Sequence, residues 1–514
     1  MRLRLSRSAP GAALLLAAGL VAGCAQAPDP TAPTLSSRTT ESAAAAADPD
    51  ELLWAACPEG IEPADAAPSG LQCADVTVPL DYADPDGTQI DVMISRLPAT
   101  DPAQRRGVLL LNPGGPGGSG LDQPLFLAGR DISPEVLAAY DLIGIDTRGV
   151  GQSAPISCGF TNGDAYNGNI PPYAVDGAAV AERAPIVEEI AQRCAANDTD
   201  GVLPHITTAN IARDLDRIRA ALGEDTASFL GYSYGTALGA AYTSMFPDNT
   251  DRVVLDSNIG DTHLDQAGLR RYALGMEETF PDFARWAADR NDQYQLGQTP
   301  EEVRATYVEL ANRFDRDPLG PLDGATFRLS TFASQYHVNL YPDLADAWQD
   351  ARSPNPDLAV PGPAPDPAAL RPFDNAWSAF LTVTCNDVEW PTDVATYQQT
   401  VEQDREQFPL YGAASANILP CAYWPIERTA GPVPINRDGP TNVLVVQNQR
   451  DPVTPLRGGE LLNDAFGDRA RLLEVDGSGH GVYAIGTNPC AQELVTRFLV
   501  DGTMPEQDVV CEAV

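Results

Sequence analysis

Residues 227–235 run Ala227-Ser228-Phe229-Leu230-Gly231-Tyr232-Ser233-Tyr234-Gly235. The apolar run 227–230 has the character of a strand buried on both faces. It ends in the pattern Gly-x-Ser-x-Gly, and a helix-compatible stretch, 236–245, follows. Strand, tight turn and helix in that order put a serine on a sharp corner, and the flanking glycines leave room for it. The N-terminus of the helix directs partial positive charge toward the place where an oxyanion would form. Ser233 is therefore the candidate nucleophile, and the N–H of Tyr234 is one candidate oxyanion donor.

Outward from this corner the same pattern repeats. Continuous apolar runs at 107–111, 142–145, 253–255, 443–446 and 472–475 predict further buried parallel strands. Upstream, 75–78 and 89–94 alternate in period two around Asp84-Pro85-Asp86-Gly87, which predicts a hairpin. Ile211, Leu215, Ile218 and Leu222 recur at helical spacing and Gly223 ends that helix. Strands alternating with helices predict an α/β protein with a doubly wound, mostly parallel sheet. The stretch from Asp256 to the strand at 443 is far longer than the dozen or so residues of a crossover. It holds helical patterns at 274–288 and 301–313 and a proline-rich joint at 353–372. The expected organisation is a core at 52–260 and 436–514 interrupted by a mainly helical cap at 261–435.

A serine nucleophile needs a base, and the chain has 4 histidines. His480 lies in Gly477-Ser478-Gly479-His480-Gly481, a flexible loop after the last apolar run. His205 precedes the amphipathic helix, His263 opens the insertion and His337 falls in a helix of it; packing roles are expected for these three. The orienting carboxylate is Asp451, in Arg450-Asp451-Pro452-Val453-Thr454-Pro455 after the strand at 443, with Asp256 as its rival. Thr454 could hydrogen-bond near the Asp–His pair or form a local turn. The chain order Ser, Asp, His is that of the α/β-hydrolases. A second oxyanion donor is expected from the glycine-rich loop 112–120, whose backbone can approach a ligand closely.

Composition narrows the chemistry. The 514 residues carry a formal net charge of −38, which argues against nucleic acid and against adsorption to anionic lipid. All 33 basic residues are arginine, so Schiff-base, Ser–Lys and P-loop lysine chemistry are excluded. Neither His-Glu-x-x-His nor Cys-x-x-Cys occurs, so no metal and no organic cofactor is expected. Arg2, Arg4 and Arg7 precede a short apolar run, 12–21, and then Leu20-Val21-Ala22-Gly23-Cys24. These features predict a signal peptide over 1–23, lipidation at Cys24 in a lipobox-like context, and a tether over 24–51. Of the 9 cysteines, those beyond Cys24 fall into local couples, so disulfides 57–73, 158–194, 385–421 and 490–511 are expected.

Five motifs occur in order: Gly-Gly-Pro-Gly at 114–117, Asp-Thr-Arg-Gly-Val-Gly-Gln-Ser at 146–153, Gly-Tyr-Ser-Tyr-Gly at 231–235, Asp-Pro-Val-Thr-Pro at 451–455 and Gly-His-Gly at 479–481. As a set they resemble the tripeptidyl aminopeptidase branch of the proline iminopeptidase-like α/β-hydrolases, secreted or cell-wall serine exopeptidases of high-GC Gram-positive bacteria. The resemblance covers about residues 52–514. It implies Ser233 as nucleophile, His480 as base, Asp451 as orienter, Gly115 and Tyr234 as oxyanion donors, and a cap that restricts access to chain ends. Proline iminopeptidases usually carry His before Gly-Gly-Pro-Gly; here Pro113 stands there, which weakens a prolyl-iminopeptidase reading more than a tripeptidyl one. An exopeptidase must hold the substrate's ammonium, and Asp387 or Glu389, in Cys385-Asn386-Asp387-Val388-Glu389-Trp390, is the candidate anchor.

The expected function is release of short peptides, of tripeptide size, from the free N-termini of peptide or protein substrates. The expected location is outside the cell, anchored by lipid or released, with no obligatory protein partner implied. An esterase, lipase-like enzyme or endopeptidase would use the same machinery. A lipid-anchored binding protein is the reading from another class, and an intact Ser, Asp and His in the right order argues against it.

Overall fold

The structure is a computed structural model and describes residues 52–513 except 62–69, 131, 162–163, 165, 167–169 and 354–370. The expected signal peptide, Cys24, the tether and most of the proline-rich joint lie outside the described residues.

Nine strands form one sheet: β1 (Gln72–Pro79), β2 (Gln89–Leu97), β3 (Gly107–Asn112), β4 (Tyr140–Ile145), β5 (Ala227–Tyr232), β6 (Thr250–Asp256), β7 (Val443–Arg450), β8 (Ala470–Ser478) and β9 (Val509–Cys511). Their spatial order is β1-β2-β4-β3-β5-β6-β7-β8-β9. The hairpin β1–β2 and the β2–β4 pair are antiparallel, and every pairing from β4 to β9 is parallel. The mostly parallel sheet with flanking helices is an α/β-hydrolase fold.

Period-two alternation explains the continuous apolar runs. Leu109, Leu111, Leu230, Val254, Leu444 and Val446 point to one face, against α2 (Pro134–Ala139) and the C-terminal helix. Val108, Leu110, Phe229, Val253, Val443 and Val445 point to the other, which α4 (Thr208–Ala221) and α5 (Tyr234–Met245) cover. A strand covered on both faces has no polar side to alternate with. Between β2 and α4 lie also α1 (Gln123–Ala128) and α3 (Gly177–Asn197).

Between β6 and β7 the chain leaves the sheet and forms α6 (Gln266–Ala288), α7 (Asn291–Tyr294), α8 (Pro300–Arg316), α9 (Gly324–Ala333), α10 (Tyr341–Arg352), α11 (Arg371–Asp387), α12 (Val394–Gln407) and α13 (Gly412–Ser415). After β7 come α14 (Leu456–Phe466) and, after β8, α15 (Pro489–Asp501). Aromatic side chains build the interior of this insertion; Trp348 is in ring contact with Phe280, Phe283, Tyr307 and Phe327. Disulfides join Cys57–Cys73, Cys158–Cys194, Cys385–Cys421 and Cys490–Cys511, the pairing expected from sequence proximity. Among the described residues no helix is long and apolar enough to cross a membrane.

Candidate active site

Ser233, Asp451 and His480 follow β5, β7 and β8, at the C-terminal edge of the parallel sheet, where open α/β sheets gather their sites. Ser233 has φ 57° and ψ −124°, a conformation that a residue with a Cβ holds only where its surroundings enforce it. Its N–H donates to the Asp256 carbonyl at 3.0 Å, and its carbonyl accepts from Thr236 N–H and Oγ1 at 2.9 and 2.6 Å. The two motif glycines are required by close backbone approach. A Cβ on Gly231 would lie 2.4 Å from the Gly235 carbonyl oxygen, and one on Gly235 would lie 2.8 Å from that of Asn112.

The glycine-rich loop lies directly on the serine. A Cβ on Gly114 would stand 2.5 Å from the Tyr232 carbonyl oxygen and 2.9 Å from Ser233 Cβ. Asn112 Oδ1 accepts from Gly114 N–H at 3.0 Å, and the Gly115–Pro116 bond is cis. Asp146 holds the far end of the loop, accepting from Ser119 Oγ at 2.6 Å and Gly120 N–H at 3.0 Å. Within the same Asp-Thr-Arg-Gly motif, Arg148 is fully buried and forms a two-pronged pair with Asp214, both contacts at 2.6 Å. Tyr234 opens α5, whose first N–H groups have no partner within the helix.

Asp451 is fully buried and saturated with donors. Its Oδ1 accepts from Val453 and Thr454 N–H, both at 2.9 Å, and its Oδ2 accepts from Thr454 Oγ1 at 2.9 Å. His480 Nδ1 lies 2.8 Å from Oδ2 and 3.1 Å from Oδ1. A proton on Nδ1, shared with the carboxylate, leaves Nε2 as the basic nitrogen. Burial pushes the imidazole down, but the charge and hydrogen bond of Asp451 and the charge of Asp256 outweigh it, so His480 stands above its ordinary pKa. Thr454 Oγ1 also lies 3.3 Å from Nδ1.

The insertion packs against the loops of Asp451 and His480. A Cβ on Gly275 of α6 would be 2.3 Å from the Pro452 carbonyl oxygen, so that helix is seated on the Asp451 loop. The Tyr336 carbonyl accepts from His480 N–H at 2.8 Å, and the Tyr336 ring meets the imidazole edge-on at 5.4 Å between centroids. His337, expected within a helix, is instead extended (φ −143°, ψ 134°) ahead of a short turn, Val338–Leu340. Partial burial and the neighbouring His480 lower its pKa. His337 therefore borders the site. His263 Nδ1 lies 3.4 Å from Thr262 Oγ1 and 3.8 Å from Asp261 Oδ1, and the His205 backbone carbonyl accepts from Asn210 Nδ2 at 3.0 Å.

The expected amine anchors are placed otherwise. Asp387 is buried, and both its oxygens accept from Thr208: Oδ1 from N–H at 2.8 Å and Oδ2 from Oγ1 at 2.6 Å. When Asp387 is ionised, Thr208 Oγ1 gives its one proton to it, and the Tyr234 hydroxyl 2.6 Å away donates to Thr208. Asp387 thus ties α11 to the start of α4 and to Tyr234, and burial pushes its pKa up to about 7. Glu389 lies on the surface, 86% exposed at its side chain, and pairs with Arg428 at 2.7 Å. Neither carboxylate is an open acidic socket. Asp256, the rival orienter, accepts from the Val482 and Tyr483 amides at 3.0 and 2.7 Å, not from His480. Among the described residues no cluster of His, Cys, Asp and Glu is suited to a metal ion.

The family model of TAP-like proteins matches residues 408–511, the segment that contains Asp451 and His480. A tripeptidyl aminopeptidase of Streptomyces lividans is 35% identical over 457 residues, 86% of this chain and 84% of that protein. The serine protease Hip1 of Mycobacterium tuberculosis is 32% identical over 488 residues, 89% of this chain and 90% of that protein. A protein of the same organism named carboxylesterase B is 32% identical over 456 residues, 86% of each. The chain belongs to the tripeptidyl aminopeptidase family. It is a peptidase of the serine hydrolase class. Tyr336 has no local signal in the sequence, since its partner is reached only through the fold. The polar run Asp256-Ser257-Asn258, fully buried after an apolar strand, does carry one, although the sequence alone makes Asp256 only the rival orienter and gives Ser257 and Asn258 no role.

Proposed function

We propose that Ser233 is the nucleophile, His480 its base, Asp451 the group that orients the base, and the N–H groups of Gly115 and Tyr234 the oxyanion donors. The Asp451–His480 contact at 2.8 Å, together with a serine at a strained strand–helix corner whose N–H donates to Asp256, the residue that also holds the His480 loop, carries this reading. Ser233 Oγ attacks the scissile carbonyl while His480 Nε2 takes its proton, giving a tetrahedral intermediate. His480 then protonates the departing amine and the C–N bond breaks. Water, activated by the same imidazole, releases the acyl group from Ser233.

The substrate proposed is the free N-terminus of a peptide or protein, from which tripeptides are released. Support comes from the name of the Streptomyces relative and from an insertion that packs against the Asp451 and His480 loops. The relative named carboxylesterase B favours a second reading, ester hydrolysis by the same residues. A fluorogenic tripeptide amide with free and with acetylated N-terminus separates the two. The proposal requires cleavage of the free-amine form alone, and none by Ser233→Ala, since loss of such a serine costs on the order of 10⁶ in turnover. Equal cleavage of the acetylated form would turn the assignment to an esterase or endopeptidase.

We further propose export with a lipid on Cys24. Four disulfides support an oxidising compartment. Cys24→Ala should move the protein from the detergent phase to the aqueous phase of a Triton X-114 extract; retention in the detergent phase would refute the anchor.

A further inference from the structure

At the end of β6 the polar run Asp256-Ser257-Asn258 is fully buried, and all three loops that carry the site are tied to it. The serine loop is tied through backbone: Ser233 N–H donates to the Asp256 carbonyl at 3.0 Å. The His480 loop is tied through side chains. Asp256 accepts from Val482 N–H at 3.0 Å and from Tyr483 N–H at 2.7 Å, while Ser257 Oγ accepts from Gly481 N–H at 2.9 Å and donates to Asp256 Oδ1 at 3.0 Å. The Asp451 loop is tied through a relay, in which Gln447 Oε1 accepts from Asn258 N–H at 2.8 Å and Gln447 Nε2 donates to the Thr454 carbonyl at 2.6 Å. Ser257 itself has φ 62°, a left-handed conformation that costs free energy without such enforcement.

We propose that Asp256 and Ser257 are positioning residues for this serine hydrolase, a corner that fixes the loop of the base against the turn of the nucleophile before substrate arrives. The inference rests on the reading of Ser233 and His480 given above. Three neighbours donate to the Asp256 side chain, which suits a carboxylate; Asn could accept on one atom only and would set an NH2 group against the amides. Burial pushes the Asp256 carboxyl up to about 7, and in its ionised form it places a second negative charge near the imidazole, besides Asp451. The other titratable groups facing His480 are Tyr336 and His337 of the insertion.

The test is the rate of covalent modification of Ser233 by a fluorophosphonate across pH, which needs no knowledge of the substrate. Asp256→Asn should slow modification about 10- to 100-fold at its pH optimum, the loss expected when a reacting group is misplaced by about an ångström. The acid limb should move to lower pH, because the imidazolium loses one of its two stabilising charges. With a peptide substrate the loss should fall on kcat and leave KM near wild type. Ser257→Ala should show the same effect in smaller degree, and it decides the question if Asp256→Asn lacks a native circular dichroism spectrum. Both variants folding and reacting at the wild-type rate with an unmoved acid limb would overturn the proposal. A wild-type protein that does not react at all would overturn the nucleophile assignment, and the inference with it.

Discussion

Asp451→Asn removes one charge and leaves the side-chain shape nearly unchanged, so its effect can be worked out atom by atom. Asp451 accepts four hydrogen bonds: Val453 and Thr454 N–H on one oxygen, Thr454 Oγ1 and His480 Nδ1 on the other. Asn offers one acceptor oxygen, and the two amides claim it. Its NH2 then faces Thr454 Oγ1 and His480 Nδ1. Nδ1 must become an acceptor, the imidazole proton moves to Nε2, and Nε2 can no longer take the proton of Ser233. A base held in the wrong tautomer loses about 10⁴ in kcat, about 5 kcal/mol of transition-state stabilisation. The assay is steady-state release of a fluorophore from a free-amine tripeptide, with thermal unfolding as the check on folding. A folded Asp451→Asn enzyme retaining more than about a tenth of wild-type kcat would refute the role assigned to Asp451.

Other predictions follow from the same geometry. The proposed base, His480, must be neutral and stands above its ordinary 6.5, so kcat/KM should fall with decreasing pH through an apparent pKa above 6.5; a lower value in the pH–rate profile would contradict the Asp451 contact. Gly479→Ala would place a Cβ 2.8 Å from the Tyr336 carbonyl oxygen at φ 108°, displacing the acceptor of the His480 amide; turnover should drop about 10²-fold. Asp387 is held with its pKa up to about 7 against 3.8 when exposed, so the folded state favours its neutral form. The favourable contribution is present below 3.8 and is lost as pH rises toward 7. Asn at 387 cannot ionise, so Asp387→Asn should gain in Tm relative to wild type between pH 4 and pH 8, which thermal scans across pH would show.

Much of the core was legible because parallel strands buried on both faces leave continuous apolar runs, and eight of the nine strands carried such a run or a period-two pattern. The exception, β9, is three residues long and partly exposed, too short for either signal. Helix α3 has an internal Pro185 and many charged residues, and its apolar stripe was correspondingly faint. The proposed site residues Ser233, Asp451 and His480 were marked locally, each by a glycine- or proline-rich corner after a strand. What could not be read was set by long-range pairing. Asp387 meets Thr208 across 179 positions of sequence, which turned an expected amine anchor into a buried tie. Tyr336 and His337 reach His480 only because the insertion folds back over the sheet edge, and a helical pattern assigned to that segment hid the extended stretch that makes the contact.

Ser233 is proposed to cut peptide chains from a free N-terminus. The most direct measurement is mass spectrometry of the products from one defined peptide of about ten residues, offered with its N-terminus free and acetylated. Successive loss of three-residue units from the free peptide, an intact acetylated peptide, and no products with Ser233→Ala are expected. Internal fragments, or equal digestion of the acetylated peptide, would contradict the proposal.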